Sequence, residues 1–488
     1  MICYVAPRNT ISPTGIDLMV HRFLHLSDIH FGQEKDGSLV KHDHIRDALV
    51  KDAEGLAKKR GPASRILVTG DISYSGTAEE YKTASQWLEK LTGACGCDET
   101  HVSTIPGNHD CDHKAISNQA KMVYATLRAS GPELVQAQLH EINADGEAAN
   151  PFLPKLHAYR QFANGFGCDF ESPDRPLWLR HFDLPGGIRL RFLGLTSVQV
   201  SDKDDAVGKM VLGNQQYTIA EEANVINIVL VHHPLDWFID ETEASQFLQN
   251  NARVIMVGHE HSLSIQKTED AITKKEWLVI YAGAVTPPQG AFGYTYNWLE
   301  FSCEEKDGKH YLLVEIVPRV WVQQSVRFDA DHTRLGGSGE SIKIQIKCPN
   351  IDPQPVQKEA KVVELTPIVA ANAAVSGGSP QLPEPASSPD QPPASPQGQS
   401  NMNKQTAGFD RLRYLFWRYL DWRQRLKVLV DVDALPKTAD QPVPQTLERV
   451  ALETAAKNIA KLHELWDAIM PLVPEDKRGE NPFSSNDR

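Results

Sequence analysis

Five short polar motifs along the chain are built from residue types that bind metal ions. They are Asp28-Ile29-His30, Gly70-Asp71, Gly107-Asn108-His109-Asp110, His232-His233-Pro234 and Gly258-His259-Glu260-His261. The candidate ligands among them are Asp28, His30, Asp71, Asn108, His232, His259 and His261. Oxygen and imidazole donors without a thiolate suit a divalent Mn, Fe or Zn ion in a catalytic site. Because this set exceeds what one catalytic ion needs, we expect two ions about 3.5–4 Å apart that share a carboxylate, which serves in-line displacement at phosphorus.

Each motif follows a short apolar run that is typical of a buried strand. These runs, and one further run of the same kind, are HRFLHLSD (21–28), RILVTGD (65–71), HVSTIPGN (101–108), IRLRFLGLTS (188–197), NVINIVLVHH (224–233) and RVIMVGHE (253–260). Amphipathic stretches such as 43–59 and 77–92 lie between them, and this alternation predicts an α/β fold. Residues 296–322 predict a hairpin that turns at Asp307-Gly308. Since loops beyond the carboxyl ends of strands converge in α/β folds, the motifs can share one site.

The spacing within the motifs indicates how the candidate ligands could reach one centre. In Asp-x-His and His-x-His, residues i and i+2 would project from the same face of an extended backbone. Gly70, Gly107 and Gly258 precede ligand residues, where the chain must bend without a Cβ in the way. His233 has no place among the ligands, and we expect it to be structural.

The composition excludes several classes of protein. A formal net charge of −13 over 488 residues argues against a large surface that coats nucleic acid. No run reaches the roughly 20 apolar residues of a membrane-spanning helix, and the first residues lack the apolar segment of a secretory signal. Seven scattered cysteines do not suggest a disulfide framework, so we expect a cytoplasmic protein. Translation from Met1 or from Met19 fits the sequence, because residues 1–18 show no pattern.

Composition also divides the chain into three parts. Residues 19–348 are predicted to form the α/β body, with the mostly helical stretch 112–185 as an insertion or cap. Residues 349–407 are rich in Pro, Ser and Gln and are predicted to be a disordered linker. Residues 408–488 carry apolar residues at helical spacing and are predicted to form a small all-α interaction domain.

The five motifs resemble the pattern D-x-H, G-D, G-N-H-D/E, H and G-H-x-H of the calcineurin-like metallophosphoesterases, over roughly residues 20–330. The resemblance implies a four-layer α/β/β/α sandwich with a dinuclear metal centre between strand ends. It assigns Asp28, His30 and His261 to one ion and Asn108, His232 and His259 to the other. Asp71 would bridge both ions together with a hydroxide. His109 would contact the scissile phosphate and assist the leaving group, and Asp110 would orient His109.

One branch of this superfamily is the most similar in motif. The run GDISYSGTAEEY (70–81) resembles the G-D-x-x-x-x-G-x-x-x-E-Y stretch of the class III cyclic-nucleotide phosphodiesterases, and the His-His-Pro form at 232–234 is shared with them. The V-D-R-G of protein phosphatases and the G-D-L-F-D of double-strand-break nucleases are absent. We therefore expect a phosphodiesterase that acts on a nucleotide or a related small ester. A nuclease or phosphomonoesterase of the same superfamily is the first alternative, and a catalytically inactive ligand- or partner-binding protein is the second.

The C-terminal part has its own resemblance. The run LHELWDAIMPLVPEDKRGENPF (462–483) loosely resembles the effector-associated, death-like helical domains of bacterial conflict systems. Those modules pair with a matching copy on another protein. The resemblance therefore implies a protein partner for 408–488 and a role in a bacterial defence system. Nucleic acid enters this interpretation only as a substrate, and no membrane partner is expected.

Overall fold

The computed structural model describes residues 10–11, 17–34, 39–287, 293–337, 339–348, 350–351, 396–437 and 441–483. Its strands are β1 (Thr10–Ile11), β2 (Asp17–Leu18), β3 (His21–Leu26), β4 (Arg65–Val68), β5 (Val102–Thr104), β6 (Leu177–Leu184), β7 (Ile188–Leu195), β8 (Val225–Val231), β9 (Ala252–Val257), β10 (Ile265–Glu269), β11 (Glu276–Tyr281), β12 (Thr295–Lys306), β13 (Lys309–Val322), β14 (Arg327–Ala330) and β15 (Ile342–Lys347). Its α-helices are α1 (Leu39–Arg60), α2 (Ala78–Cys95), α3 (Asn118–Ala129), α4 (Pro132–Ala144), α5 (His157–Gly165), α6 (Asn214–Tyr217), α7 (Glu241–Asn251), α8 (Pro396–Tyr419), α9 (Trp422–Asp431), α10 (Gln445–Ala456) and α11 (Ile459–Ile469).

The first large sheet contains strands from both ends of the body. Its order is β14-β13-β12-β3-β4-β5, with β15 beside β13. Strands β3, β4 and β5 run parallel, and β12 joins β3 antiparallel. The predicted hairpin is confirmed, because β12 and β13 pair as far as Lys306 and Lys309 and leave Asp307-Gly308 as the turn.

The second large sheet has the order β10-β11-β9-β8-β7-β6. Its inner strands run parallel, and the edge strands β6 and β10 are antiparallel to their neighbours. Strand β6 lies at the end of the stretch 112–185, which the sequence analysis took as mostly helical. Leu184 pairs with Ile188 across Pro185-Gly186-Gly187, and both glycines have positive φ. This glycine-rich hairpin turn is the signal that the sequence analysis missed.

The two sheets pack face to face through aromatic side chains. The ring of Phe23 in β3 lies 4.9 Å from that of Phe192 in β7 and 5.1 Å from that of Phe182 in β6. Helices α1 and α2 share the core cluster of the first sheet, and helices α3, α4 and α7 pack in a second cluster with the second sheet. The body therefore has helices outside two mixed sheets, which confirms the predicted α/β sandwich.

The C-terminal part is helical as predicted, and its described residues form the four α-helices α8–α11. Asp421 caps α9 by accepting from the backbone N–H groups of Arg423 and Gln424, and the Asp421 backbone N–H donates to Gln424 Oε1. Asn458 caps α11 in a similar way by accepting from Ala460. Each cap starts a new helix within a stretch of regularly spaced apolar residues, because its side chain accepts from the free backbone N–H groups of the first helical turn.

The C-terminal helices pack directly on the body. The Tyr414 hydroxyl in α8 donates to Glu89 Oε1 of α2 at 2.7 Å. Arg449 in α10 donates to the carbonyl oxygen of Glu171 at 2.7 Å. Buried residues of α8–α11 belong to the same hydrophobic cluster as the first sheet. The expected linker 349–407 lies largely outside the described residues, and α8 begins within its last part, at Pro396.

No helix in the described ranges is both long and apolar enough to cross a membrane. Cys95, Cys97, Cys111, Cys168, Cys303 and Cys348 are free cysteines.

Candidate metal centre

All seven predicted ligands follow the carboxyl ends of strands, and the two sheets contribute to one centre. Asp28 and His30 follow β3, Asp71 follows β4 and Asn108 follows β5, all in the first sheet. His232 follows β8, and His259 and His261 follow β9, both in the second sheet. Because the sheets pack face to face, these strand ends meet at one edge of the sandwich.

One group of ligands gathers around Asp28. The ligand atoms of Asp28, His30 and His261 lie within 4.8 Å of one another. His261 Nε2 is 3.2 Å from Asp28 Oδ1, and His30 Nε2 is 3.1 Å from Asp71 Oδ2. These three side chains are the ones that the family resemblance assigns to the first ion.

A second group gathers around Asn108. Asn108 Oδ1 lies 3.1 Å from His232 Nε2 and 3.2 Å from His259 Nδ1. Asp71 Oδ1 is 3.5 Å from His232 Nε2. Asp71 also shares a cluster with Asp28 and His232 and another with His30. Its carboxylate therefore lies between the two groups, which is where a bridging ligand would lie.

The donors fit a pair of cations. Asp28 is fully buried, and its carboxylate faces His261 Nε2 at 3.2 Å but has no backbone N–H, Arg or Lys donor in the described contacts. A buried carboxylate in that condition is unfavourable unless a cation balances its charge. Burial opposes ionisation of Asp71 as well, yet the charge of His232 and the hydrogen bond with His30 hold the pKa of Asp71 well below its usual value. The structure thus contains two buried carboxylate ligands without an Arg or Lys partner among the described ion pairs.

Backbone carbonyl groups orient two of the imidazoles. His30 Nδ1 lies 3.2 Å from the carbonyl oxygen of Thr286, and His232 Nδ1 lies 2.7 Å from that of Thr69. A carbonyl oxygen only accepts, so each Nδ1 carries the proton and each Nε2 faces the centre. This arrangement is the usual support of a histidine ligand. Neither threonine has a sequence signal that would have identified it, because the interacting group belongs to the backbone.

The two carboxylates of the centre favour the protonated form of His30. Burial opposes protonation of this imidazole, but the hydrogen bond to Asp71 and the nearby charges of Asp71 and Asp28 raise its pKa to about 9. A metal ion that binds His30 Nε2 must displace that proton, so metal binding would be accompanied by proton release at neutral pH.

The backbone is left-handed at four ligands, and at three of them, Asp28, His30 and His259, an extended backbone was expected. The values of φ are 53° at Asp28, 51° at His30, 54° at Asp71 and 60° at His259. The Asp-x-His pair therefore reaches the centre from a left-handed turn rather than from an extended strand. In that turn, Ile29 and His30 both donate to the carbonyl oxygen of Asp71. Left-handed residues other than glycine are unfavourable, and they often occur at functional sites.

The glycine expectation is confirmed at all three positions, since a Cβ on Gly258 would lie 2.2 Å from the carbonyl oxygen of Thr69. A Cβ on Gly107 would lie 2.1 Å from Asp71 Oδ1, and one on Gly70 would lie 2.4 Å from His232 Nδ1. Gly70 also has a φ of +96°, which disfavours any other residue. Gly70 and Gly107 let the backbone approach the ligands closely.

His109 lies beside the ligands, but its orientation has a different cause from the one expected. Its backbone N–H donates to Asp71 Oδ1 at 2.8 Å, and its Nδ1 is 3.0 Å from the carbonyl oxygen of Tyr74. The ring stacks on Tyr74 at 4.8 Å. In the described contacts, the Asp110 carboxylate does not bond to the His109 ring. It accepts instead from the backbone N–H groups of Ser73 and Gly107, both at 2.9 Å, so Asp110 fixes loops rather than the imidazole.

His233 is buried next to the centre. Its Nδ1 lies 2.9 Å from Ser197 Oγ, and its ring lies 4.7 Å from that of His259 and 5.2 Å from that of Trp237. Burial and the neighbouring histidines hold the pKa of His233 well below its usual value. A neutral imidazole held by a serine and packed between aromatic rings agrees with the structural role expected for it.

Comparison with known proteins identifies both parts of the chain. Residues 21–263 match the calcineurin-like phosphoesterase family, and residues 408–471 match the GTPase-associated adaptor domain. An uncharacterized metallophosphoesterase-like protein of Bacillus subtilis (strain 168), YydB, is 22% identical over 275 residues, which cover 54% of this chain and 53% of YydB. The chain therefore spans about half the length of this curated relative. The adaptor match supports an adaptor role for the C-terminal helices, in a family other than the one that the sequence resembled.

Two solved structures that match the chain have low sequence identity and low structural similarity to it. The 5'-nucleotidase precursor from Thermus thermophilus is 12% identical, with coverage of 67% of this chain and 54% of that chain and a TM-score of 0.30. Vps29 from Chaetomium thermophilum is 10% identical, with coverage of 67% and 100% and a TM-score of 0.25. Superpositions with such low scores carry no argument about substrate.

Proposed function

Residues 21–263 form a calcineurin-like phosphoesterase domain, and from this premise we propose that the chain hydrolyses a phosphodiester of a nucleotide or a related small ester with two divalent transition-metal ions. The observation that carries the proposal is the set of seven oxygen and imidazole donors at one edge of the sandwich, with the buried carboxylates of Asp28 and Asp71 among them. Asp28, His30 and His261 would hold one ion, Asn108, His232 and His259 the other, and Asp71 both. Mn, Fe and Zn all suit these donors.

Two bound ions would supply Lewis acidity and a water of lowered pKa. Groups of the protein would orient the metal ligands and supply the hydrogen-bond donor to the leaving group. The carbonyl oxygens of Thr286 and Thr69 keep His30 and His232 in the tautomer that presents Nε2 to the centre. The carbonyl oxygen of Tyr74 fixes Nδ1–H of His109, so any proton that His109 transfers moves through Nε2. We assign His109 Nε2 to the oxygen of the departing alcohol, to which it would donate a proton or a hydrogen bond.

The hydrogen bonds made by Glu80 and Tyr81, the last two residues of the motif at 70–81, support the phosphodiesterase branch. Glu80 accepts from the backbone N–H groups of Ser75 and Thr77 at 3.0 and 3.1 Å. It thereby closes the loop after Asp71 onto the start of α2. Tyr81 donates its hydroxyl to Asp110 Oδ1 at 2.8 Å. The Glu-Tyr pair of the resembled motif thus holds the two loops that carry Asp71 and His109, and this supports the resemblance to class III cyclic-nucleotide phosphodiesterases.

A substrate panel tests this function. Metal-loaded full-length protein is assayed with bis(p-nitrophenyl) phosphate, p-nitrophenyl phosphate, cyclic nucleotides and single-stranded DNA, before and after removal of metal by a chelator. We expect turnover of the diester and of a cyclic nucleotide, which chelation abolishes and added Mn²⁺ restores. Preferential turnover of the monoester or of DNA would favour the other branches. No turnover by protein that contains both metals would favour a binding protein.

We also propose that the C-terminal helices recruit a GTPase, which the description of the matching adaptor family supports. Some apolar side chains of these helices remain exposed to solvent. Leu447 and Val450, one helical turn apart in α10, remain 44% and 45% exposed. We further propose a cytoplasmic location and a role in a bacterial defence system, on the resemblance of 462–483 to adaptors of conflict systems.

The partner proposal predicts loss of binding on a local change of this surface. Leu447→Asp should reduce retention of the partner GTPase by tenfold or more, roughly what burial of a leucine contributes, without changing turnover of a small diester. Leu134→Asp, at an apolar side chain that is 63% exposed in α4 of the body, is the matched control and should bind normally. Retention is measured by affinity purification and mass spectrometry. Equal binding by both variants, or captured proteins without a GTPase, would contradict the proposal.

A further inference from the structure

Tyr81 connects two loops of the centre through one carboxylate. Its hydroxyl lies 2.8 Å from Asp110 Oδ1. The same carboxylate accepts from Ser73 N–H at 2.9 Å, in the loop after Asp71, and from Gly107 N–H at 2.9 Å, in the loop before His109. Asp110 and Tyr81 are both buried. Because a buried carboxylate depends on its hydrogen-bond donors, loss of one donor should loosen both loops.

The other side of Tyr81 is held by a row of aromatic rings that ends in the C-terminal helices. The Tyr81 ring stacks on Phe162 of α5 at 5.0 Å. Phe162 lies 5.1 Å from Phe166, and Phe166 lies 5.6 Å from Tyr414 of α8. The Tyr414 hydroxyl in turn donates to Glu89 on α2, the helix that also carries Tyr81. The adaptor helices therefore contact the support of the Asp110 carboxylate through a continuous set of packed rings.

We propose that Tyr81 is a positioning residue for the hydrolytic site and that the C-terminal helices hold it in position. Tyr81 keeps Asp110 bonded to both loops, so that the Asp71 carboxylate and the His109 imidazole retain their relative placement. Tyr81 itself touches neither group in the described contacts, so it acts through Asp110. The proposal rests on the phosphoesterase activity proposed above, and one of its tests does not require that activity.

The first test removes only the Tyr81 hydroxyl. A hydrogen bond to a charged group contributes about 1.5–3 kcal/mol. Tyr81→Phe should therefore lower kcat on a small diester by roughly 10- to 100-fold, with little change in KM or metal content. Tyr159→Phe is the matched control, since Tyr159 is equally buried, lies 6.2 Å from the Tyr81 ring and makes no described bond to Asp110. If both variants lose activity to the same extent, in proportion to their loss of thermal stability, Tyr81 is merely structural and the proposal is wrong.

The second test measures the loops directly, by hydrogen exchange of the backbone amides. Tyr81→Phe should accelerate exchange of peptides that contain Ser73 and Gly107, because their N–H groups donate to Asp110, and Tyr159→Phe should not. Unchanged exchange in Tyr81→Phe would overturn the proposal. If exchange accelerates but the wild type hydrolyses no ester, the positioning role stands and the proposed activity fails.

The third test concerns the C-terminal helices, in the full-length chain. Tyr414→Ala should lower kcat and accelerate exchange of the same two peptides, and the double variant with Tyr81→Phe should lose little more than Tyr81→Phe alone. Tyr414→Phe keeps the ring and should leave kcat within about twofold of the wild type, since it loses only the bond to Glu89. Fully additive effects of Tyr414→Ala and Tyr81→Phe, or a Tyr414→Ala variant with normal kcat and exchange, would overturn the role of the C-terminal helices.

Discussion

Replacement of Asp71 by Asn is expected to remove both metal ions at once. The two oxygens of Asp71 face one imidazole of each group, His30 Nε2 at 3.1 Å and His232 Nε2 at 3.5 Å, and an amide lacks the charge that balances two cations. Elemental analysis should fall from about two ions per chain, the stoichiometry of a dinuclear site, to almost none. Turnover of a small diester should fall to the background rate.

Two further variants make this result specific. Asp28→Asn should release mainly one ion, because the Asp28 carboxylate contacts His261 Nε2 at 3.2 Å and His30 Nε2 at 3.9 Å, the donors assigned to that ion. Asp240→Asn is the control for a buried aspartate, since it accepts from the backbone N–H groups of Leu212 and Gly213 and should keep both ions. Normal metal content in Asp71→Asn would refute its assignment as the bridge.

Replacement of His109 by Ala is expected to separate catalysis from metal binding. The His109 side chain is not among the proposed ligands, so both ions should remain. The rate should fall by roughly 10²–10⁴-fold, the usual contribution of one acid–base group. Because a good leaving group needs little protonation, the loss should be smaller for p-nitrophenyl esters than for alkyl esters. The measurement is kcat/KM over a series of esters, with metal content determined on the same samples.

The exposed His113, five residues from the last predicted ligand of this loop, provides the control. His113→Ala should retain full activity. An equal loss across all leaving groups would mean that His109 positions the phosphate rather than protonating the leaving oxygen. Loss of metal from His109→Ala would mean that the backbone N–H bond from His109 to Asp71 depends on the ring packing against Tyr74.

Because the adaptor helices pack on the body, a partner that binds them could also affect the metal centre. A domain on a flexible linker would bring the enzyme to its partner without affecting the site. Here α8 lies against α5 and next to the rings that support Tyr81. A GTPase that binds the adaptor helices and shifts α8 would act on the same support. Partner binding would then change kcat through this support, and the reciprocity of linkage would apply only to affinities, such as those for the partner and for metal.

The sequence alone determined the donors and the strands that carry them. Residue type and spacing are local properties, so Asp28, His30 and the other ligands could be read from motifs at the ends of apolar runs. The same reasoning predicted the α/β body, the hairpin at Asp307-Gly308 and a helical C-terminal part. It did not predict β6, or the starts of α9 and α11 that follow the capping residues Asp421 and Asn458.

Only the tertiary structure decided how those donors are held. The carbonyl group that orients His30 belongs to Thr286, 256 positions away, and every residue has such a carbonyl, so no sequence pattern identifies it. The left-handed backbone at Asp28 and Asp71 arises from bonds between neighbouring loops rather than from local propensity. Likewise, Asp110 bonds to Tyr81 and to backbone N–H groups because the fold buries it there, whereas the family resemblance implied that it orients His109. The packing of Tyr414 toward the support of the centre follows from long-range apolar contacts, which composition and periodicity do not specify.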